Sequence, residues 1–162
     1  MRDPEDPETF WVNPFGKAYA RICVSDLIRV DSRGRLVDGT QPVNVSAFMI
    51  HNQIHAARSD GEASVHAHTV HGKAWSSLGR LLDPITQDSC YFFEDHALFD
   101  DYGGIVYDED EGNVIARALG GCKALILQNH GLITVGKSIE EAAYWMIALD
   151  NAVSTGTDGG DG

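Results

Sequence analysis

The apolar run Ala-Leu-Ile-Leu at residues 124–127 constrains the fold of this chain more than any other feature. It lies between Gly120-Gly121 and Gly131, and a short apolar run bounded by turn residues is typical of a strand that is buried on both faces. Such a strand needs a layer of helices against each face of its sheet. At 162 residues the chain is long enough for one domain with a substantial core and too short for two. We therefore expect a single α/β domain.

Helical and extended patterns alternate along the remainder of the chain. Apolar residues at helical spacing, together with capping residues, predict helices at 43–58, from Val70 onward, at 109–119 and from Ser138 to 153. The second of these helices has Val70, Ala74 and Leu78 on its apolar stripe. Strands are predicted in the apolar runs near the amino terminus, at 63–68 and at 124–130. The stretch 82–107 is the least regular, with a turn expected at Gly103-Gly104.

The net charge and the cysteine pattern limit the classes of partner and compartment. Asp and Glu total 24 against 12 Lys and Arg, which gives a formal charge of -12. This field repels phosphate backbones and anionic lipids, so we expect neither nucleic-acid nor membrane binding. Three separated cysteines without a CxxC pair, and no signal-peptide pattern at the start, predict a cytoplasmic protein. We expect the domain to cover 1–153 and the glycine-rich residues 154–162 to form a disordered tail.

Two histidines in one predicted strand indicate a metal site. Side chains two apart in a strand point the same way, so His66 and His68 project from one face. A catalytic zinc site usually has three protein ligands and one open position, so a third ligand must come from elsewhere. His130 is the best candidate because it ends the buried strand at Gly131, where the backbone can turn and a substrate can approach. Taken alone, the His-x-His pair is a weak signal, and such pairs are more often structural or exposed.

Other polar residues near these motifs have no second feature that supports a function. Histidines 51, 55, 71 and 96 are therefore interpreted as structural. Gln87, Asp88 and Glu94 lie in an otherwise aromatic segment. They are either contacts that support a metal ligand or a substrate, or the surface of an acidic loop.

Five segments of the chain occur in an order known from one protein family. They are NPFG, SDLIRVD, AFMIHNQIHAARSD, SVHAHTVHGKAW and ILQNHGLITVGKSIEEA. In these segments, from about Val12 to Asp150, the sequence resembles the class II aldolase/adducin family. The resemblance implies a three-layer αβα fold around a mostly antiparallel sheet, and a homotetramer with sites at subunit interfaces. It also implies a divalent metal, zinc first and Fe(II) or Mn(II) as alternatives, with His66, His68 and His130 as ligands.

The chain departs from the family pattern at the position of the proton carrier. In the family's aldolases and epimerases, a glutamate in the helix before the His-x-His pair moves the proton while the metal stabilises an enediolate. The matching residue here is Ala47, so the usual acid/base is missing, and His51, one helical turn further on, is a conceivable substitute. In phosphate-binding members a serine pair and a Thr-Pro-x-Gly turn hold the phosphate. At the matching positions this chain has Asn13, Gly16 and Ser46, which are therefore the candidate substrate contacts. Because the phosphate-binding pattern is incomplete, we do not expect a phosphorylated sugar as the substrate.

The resemblance leaves three functions open. The first is a divalent-metal-dependent enzyme that acts on a small hydroxy- or oxo-acid by lyase, decarboxylase or epimerase chemistry. The segment LLDPITQDSCYFFEDHALFDDYGG more loosely resembles a glutamate-less branch with non-haem iron oxygenases that oxidatively decarboxylate an aryl 2-oxo acid in secondary metabolism. The third function is a non-catalytic, adducin-like domain. Because segments typical of the family would lie before Met1 and beyond Asp150, we also expect the chain to be truncated at both ends.

Overall fold

Two β-sheets organise the chain in the computed structural model, which describes residues 1–101 and 109–158. The smaller sheet is antiparallel and consists of β1 (Thr9–Val12), β2 (Ile28–Asp31) and β3 (Leu36–Asp38). The larger sheet consists of β4 (Ala63–Ala67), β5 (His96–Phe99), β6 (Ala124–Leu127) and β7 (Gly131–Gly136). Its order is β4-β7-β6-β5, and only the β5–β6 pair is parallel among these described strands. The expectation of a mostly antiparallel central sheet is confirmed.

Helices cover both faces of the larger sheet. They are α1 (Val45–Ala57), α2 (Val70–Ser76), α3 (Gln87–Cys90), α4 (Glu109–Leu119) and α5 (Ile139–Asp158). Helices α1 and α4 pack together on one face, and α2, α3 and α5 pack on the other. Asn44 caps α1 by accepting a hydrogen bond from the Ala47 N–H at 3.2 Å, and Gly120 ends α4 with a φ of 54°. No helix of the described residues is long and apolar enough to span a membrane.

The alternating side chains of β6 join the two halves of the core. Ala124 and Ile126 pack with α2 and α5, whereas Leu125 and Leu127 pack with α1 and α4. None of the four is more than 1% exposed. The apolar run is therefore buried on both faces, as predicted, because each face of the sheet has its own helical layer. The α/β class and the αβα layering are confirmed.

The structure differs from the predicted elements around β6. The predicted strand 124–130 ends at Leu127, because the His130 N–H donates a hydrogen bond to the Leu127 carbonyl at 3.0 Å and closes a tight turn. Strands β5 and β7 were not predicted. Strand β7 follows the turn at once and lacks polar alternation, since all six of its residues are buried. The polar residues Gln128, Asn129 and His130 separate the two apolar runs and form the turn between β6 and β7.

Two predictions at helices are also corrected. Val70 and Leu78 are 76% and 55% exposed, and Ala74 is exposed as well. Helix α2 is only seven residues long and instead turns Gly72 and Trp75 inward. The last helix continues to Asp158, beyond its predicted end. The expected Gly103-Gly104 turn and residues 159–162 of the expected tail lie outside the described residues.

Candidate metal centre and adjoining cavity

Three histidines converge at one end of the β4–β7 pair. His66 and His68 are in and just after β4, and His130 is in the turn between β6 and β7. The ring centroids are 4.8 Å apart for His66–His68, 4.8 Å for His66–His130 and 4.7 Å for His68–His130. The possible ligand nitrogens all lie within 4.8 Å of one another. The structure thus brings together the three histidines that the sequence predicts to be metal ligands.

Strand alternation explains why two of these histidines face the same side. Val65 and Ala67 pack toward the α2/α5 layer, so His66 and His68 take the opposite face. The antiparallel register places His66 across from Ile133 on β7. Since β7 begins directly after the turn, this pairing brings the turn next to the end of β4.

The hydrogen bond of His66 determines which ring nitrogen is available. Its Nδ1 lies 2.9 Å from the Leu132 carbonyl oxygen. A carbonyl can only accept, so Nδ1 carries the proton and Nε2 has the free lone pair. This Nε2 is 3.0 Å from the Nε2 of His68. Ligand nitrogens of a tetrahedral site with metal–nitrogen distances of about 2.0–2.1 Å are about 3.3 Å apart, so the pair has the spacing that a metal needs.

The surroundings of the cluster favour neutral imidazoles. Burial, followed by the nearby His51, lowers the pKa of His66 to about 3. Burial is also the main cause that lowers the pKa of His68 and of His130. Neutral imidazoles have the lone pairs that bind a metal ion, whereas protonated rings do not. The cluster is therefore ready to bind a cation near neutral pH.

Gly131 allows the close contact between the turn and β4. A Cβ added at this position would lie 2.6 Å from the Ala67 carbonyl oxygen and 3.1 Å from Cδ2 of His68. Either contact is too short for an undisturbed structure. The glycine after His130 is thus required by the approach of β7 to the backbone and ring of the neighbouring ligand segment.

A cavity of about 320 Å³ adjoins His66 between the smaller sheet, α1 and β4. Among the residues that the structure describes, the aromatic side chains of Phe10, Trp11, Tyr19 and Phe48 line it. Its polar lining comes from Asn13, Asn44, His51, Asn52, His55, Ser64 and His66. Within the described part of the chain, no Asp, Glu, Lys or Arg side chain lines this cavity. The site therefore combines an imidazole cluster with an aromatic wall of low charge.

A hydrogen-bonded chain of three residues forms the polar side of the cavity. The Nδ1–H of His55 donates to the Gly61 carbonyl at 2.9 Å, so its Nε2 can only accept, and the Ser64 hydroxyl lies 3.5 Å away as the donor. The Ser64 oxygen also lies 2.5 Å from Nδ1 of His51, so the hydroxyl connects the two rings. Burial is the main cause that lowers the pKa of His51 and of His55 to about 3.

Ser64 is a functional candidate that the sequence analysis missed. It lies two residues before His66, so strand alternation places its side chain on the face of the histidine cluster. Histidines four apart on α1 were the second signal, because one helix face can direct both rings to a common partner. Neither signal is specific without the knowledge that α1 packs beside β4.

Only some of the predicted substrate contacts lie at the cavity in the structure. Asn13 lines the cavity. Ala47, at the position that matches the family's glutamate, lines it as well. Ser46 lies in the first turn of α1 and does not line it. Gly16 is exposed with a φ of 80°, and an added Cβ would meet no atom within 4 Å. Of the three predicted contacts, only Asn13 adjoins the cavity.

The remaining polar candidates are located away from this cavity. His96 has a structural role, since it donates to the Phe92 carbonyl at 2.6 Å and accepts from the Leu82 N–H at 2.8 Å. His71 lies 3.7 Å from Asp150 on the surface of α2. Three further side chains are exposed, those of Gln87, Asp88 and Glu94. The structural interpretation of His96 and His71 agrees with these contacts.

The fold and the histidine cluster define a known class of protein. The chain matches the Class II Aldolase and Adducin N-terminal domain over residues 1–156. It therefore belongs to the class II aldolase/adducin family. This family assignment agrees with the resemblance that the sequence motifs indicate.

Individual relatives include proteins named as enzymes and an adducin. The chain is 50% identical, over 93% of its length and 54% of the relative, to the 4-hydroxy-3-prenylphenylpyruvate oxygenase/4-hydroxy-3-prenylbenzoate synthase of Streptomyces roseochromogenus subsp. oscitans. It is 39% identical to alpha-adducin of Rattus norvegicus over 87% of the chain and 20% of that protein. Among solved structures, the L-fuculose 1-phosphate aldolase of Glaciozyma antarctica PI12 matches with a TM-score of 0.88 and 45% identity, covering 96% of this chain and 61% of that one. The chain spans about half the length of the first curated relatives.

Proposed function

We propose that this chain is the metal-binding part of an enzyme that acts on a small 2-oxo or hydroxy acid. The observation that carries the proposal is the convergence of His66, His68 and His130 beside a cavity. Three neutral imidazoles accept Zn(II), Fe(II) or Mn(II), and zinc is the first expectation. A metal bound there supplies Lewis-acid stabilisation of negative charge on substrate oxygens.

The lining of the cavity favours decarboxylation over epimerisation or aldol cleavage. Ala47 offers only a methyl group at the position of the family's glutamate, so the main proton carrier of those reactions is missing. Loss of carbon dioxide from an acid needs no base to start, and the electron pair that it leaves on carbon must then be taken up by a proton from solvent or by an oxidant. His51, one helical turn after Ala47, lines the cavity as a neutral hydrogen-bonding side chain, since its pKa of about 3 makes it a weak base near neutral pH.

The lining also favours an aromatic substituent on the substrate. The rings of Phe10, Trp11 and Phe48 provide flat apolar surface. A phosphate group is disfavoured because none of the described side chains of the cavity lining is a lysine or an arginine. We therefore propose an aryl-substituted 2-oxo acid as the substrate class.

An oxidative reaction is the second candidate. The 50% identical Streptomyces relative is named as an oxygenase of a prenylated phenylpyruvate. Iron-dependent oxidative decarboxylation of an aryl 2-oxo acid would use the same histidines and, like simple decarboxylation, needs no glutamate base. This candidate requires Fe(II) and consumption of O2, whereas the first requires neither.

Metal content tests the site directly. We expect the purified chain to bind about one divalent metal ion and His66→Ala to lose it, because two imidazoles alone hold a metal weakly. The control is His71→Ala, which removes a surface histidine outside the cluster. Wild-type protein without stoichiometric metal would refute the site and would favour a non-catalytic, adducin-like role. A loss of metal in His71→Ala equal to that in His66→Ala would also refute the site.

Oxygen uptake separates the two reactions. The chain is loaded with Fe(II) or Zn(II) and mixed with phenylpyruvate, while dissolved O2 and released CO2 are measured. CO2 release without O2 uptake supports simple decarboxylation. Uptake of O2 in proportion to CO2, with Fe(II) only, supports the oxygenase.

A further inference from the structure

We propose that Asn129 is the residue that positions His130 in the histidine cluster, through a left-handed backbone conformation at the turn between β6 and β7. The inference rests on the proposed metal site. Asn129 would act through its backbone and not as a ligand, since its side chain is exposed.

The turn places Asn129 directly before the third ligand. The His130 N–H donates to the Leu127 carbonyl at 3.0 Å, so residues 127–130 form a four-residue turn with Asn129 in third position. The φ of Asn129 is 58°. A positive φ at the third position of a turn is a requirement that glycine and asparagine meet most easily.

Neighbouring hydrogen bonds hold this turn in place. The Gln128 N–H donates to the Phe99 carbonyl at 2.8 Å, and the Asn129 N–H donates to the Ser76 carbonyl at 3.3 Å. Strand β5 and the end of α2 thus fix the start of the turn. Asn129, with its left-handed backbone, connects these two hydrogen bonds to His130.

The direction of the His130 ring follows from that backbone step. Its centroid lies 4.8 Å from that of His66 and 4.7 Å from that of His68. A metal site tolerates a ligand displacement of only about 0.5 Å. A residue that prefers negative φ would rotate the peptide between positions 129 and 130 and move the ring away from the other two.

The chain contains a matched control for this argument. Glu94 has a φ of 56° and is exposed. It is also third in a four-residue turn, which the Asp95 N–H closes by donating to the Phe92 carbonyl at 3.0 Å. This turn precedes β5, and the first residue of β5, His96, pairs with the first residue of β6, Ala124. His130, in contrast, follows the last residue of β6. Glu94 thus has the same backbone conformation at the opposite end of the sheet.

The test compares Asn129→Val, Asn129→Gly and Glu94→Val. Each protein is titrated with Co(II), whose visible absorption reports bound ligands, and is melted without metal. A valine resists the left-handed region, so we expect Asn129→Val to bind Co(II) about tenfold more weakly than wild type. Asn129→Gly should bind within about twofold of wild type, because glycine adopts this conformation freely. Glu94→Val should lower the melting temperature and leave the Co(II) affinity unchanged.

Two results would overturn the positioning role. One is unchanged Co(II) affinity in Asn129→Val, and the other is equal weakening in Asn129→Val and Glu94→Val. If Asn129→Val does not fold, Asn129→Ala replaces it in the same comparison, with the same two results counting against the role.

A measurement on the metal-free protein distinguishes a failure of the positioning role of Asn129 from a failure of the metal site. Nuclear Overhauser contacts between the His130 and His66 rings should be present in the wild type and in Asn129→Gly, and lost in Asn129→Val. A wild-type chain that shows these contacts but binds no Co(II) refutes the metal site and leaves the positioning role supported. Contacts that persist in Asn129→Val refute the positioning role alone.

Discussion

At the scale of single residues, the Ser64 hydroxyl lies between two histidines of α1, the buried His55 and the half-buried His51. The Gly61 carbonyl can only accept, so it fixes the tautomer of His55, whose Nε2 then faces the Ser64 hydroxyl at 3.5 Å. The same hydroxyl lies 2.5 Å from Nδ1 of His51. These contacts could not be predicted from the sequence, since spacing alone does not say which groups on α1 and β4 meet.

The lowered pKa values of His51 and His55 make stability depend on pH. His51 and His55 have a pKa of about 3 when folded and about 6.5 when unfolded, so the unfolded chain binds more protons between these values. Stability is then unaffected by them above about pH 7 and falls as the pH drops from 6.5 toward 3. Each can contribute up to about 1.4 kcal/mol per pH unit.

Urea unfolding of wild type and His55→Phe at pH 7 and at pH 5 measures this effect. We expect a smaller loss of unfolding free energy between the two pH values in the variant, because one proton-binding site of the unfolded chain is removed. The same pH dependence in both proteins would contradict the assignment.

At the scale of elements, the hairpin from β6 to β7 is the part that completes the site. Its turn carries His130, and its second strand brings Leu132 and Ile133 beside His66. His130 is the predicted third ligand at the end of a strand, whereas the structure places it in a turn beside His66 and His68. The turn was missed because the polar residues Gln128, Asn129 and His130 were taken as the end of the buried strand, although a polar segment between two apolar runs is itself a turn signal.

Gly131→Ala should disturb this hairpin. The new Cβ would lie 2.6 Å from the Ala67 carbonyl oxygen, and we expect a loss of about 1–3 kcal/mol in unfolding free energy from the forced separation of β7 and β4. Gly121→Ala is the control, since its added Cβ meets no atom within 4 Å. Chemical denaturation of both variants provides the comparison, and equal stabilities would argue against the close strand contact.

At the scale of the whole molecule, the histidine cluster connects distant parts of the chain. His66 lies in β4 and His68 just after it, whereas His130 follows β6. A metal bound to all three would close the long loop between them and would bind the folded chain only. Binding of this kind stabilises the fold by mass action.

Metal removal should therefore lower the melting temperature. A ligand at about 100 times its dissociation constant adds about 2.7 kcal/mol of stability, so we expect a clear upward shift in Tm with Zn(II) and its reversal by a chelator. His68→Ala should show no such shift, and His71→Ala should show the wild-type shift. A shift that survives in His68→Ala would place the metal elsewhere.

The sequence by itself determined the α/β class, the buried central strand, the family and the membership of the histidine cluster. These follow from local properties, namely apolar runs, glycine boundaries, helical spacing and motif order. The tertiary structure decided the position of β5 and β7, the turn at His130, the aromatic cavity and the hydrogen-bonded order of His51, Ser64 and His55. The physical reason is that these features depend on which distant surfaces pack together, and no local pattern specifies the partner of a buried polar or apolar group.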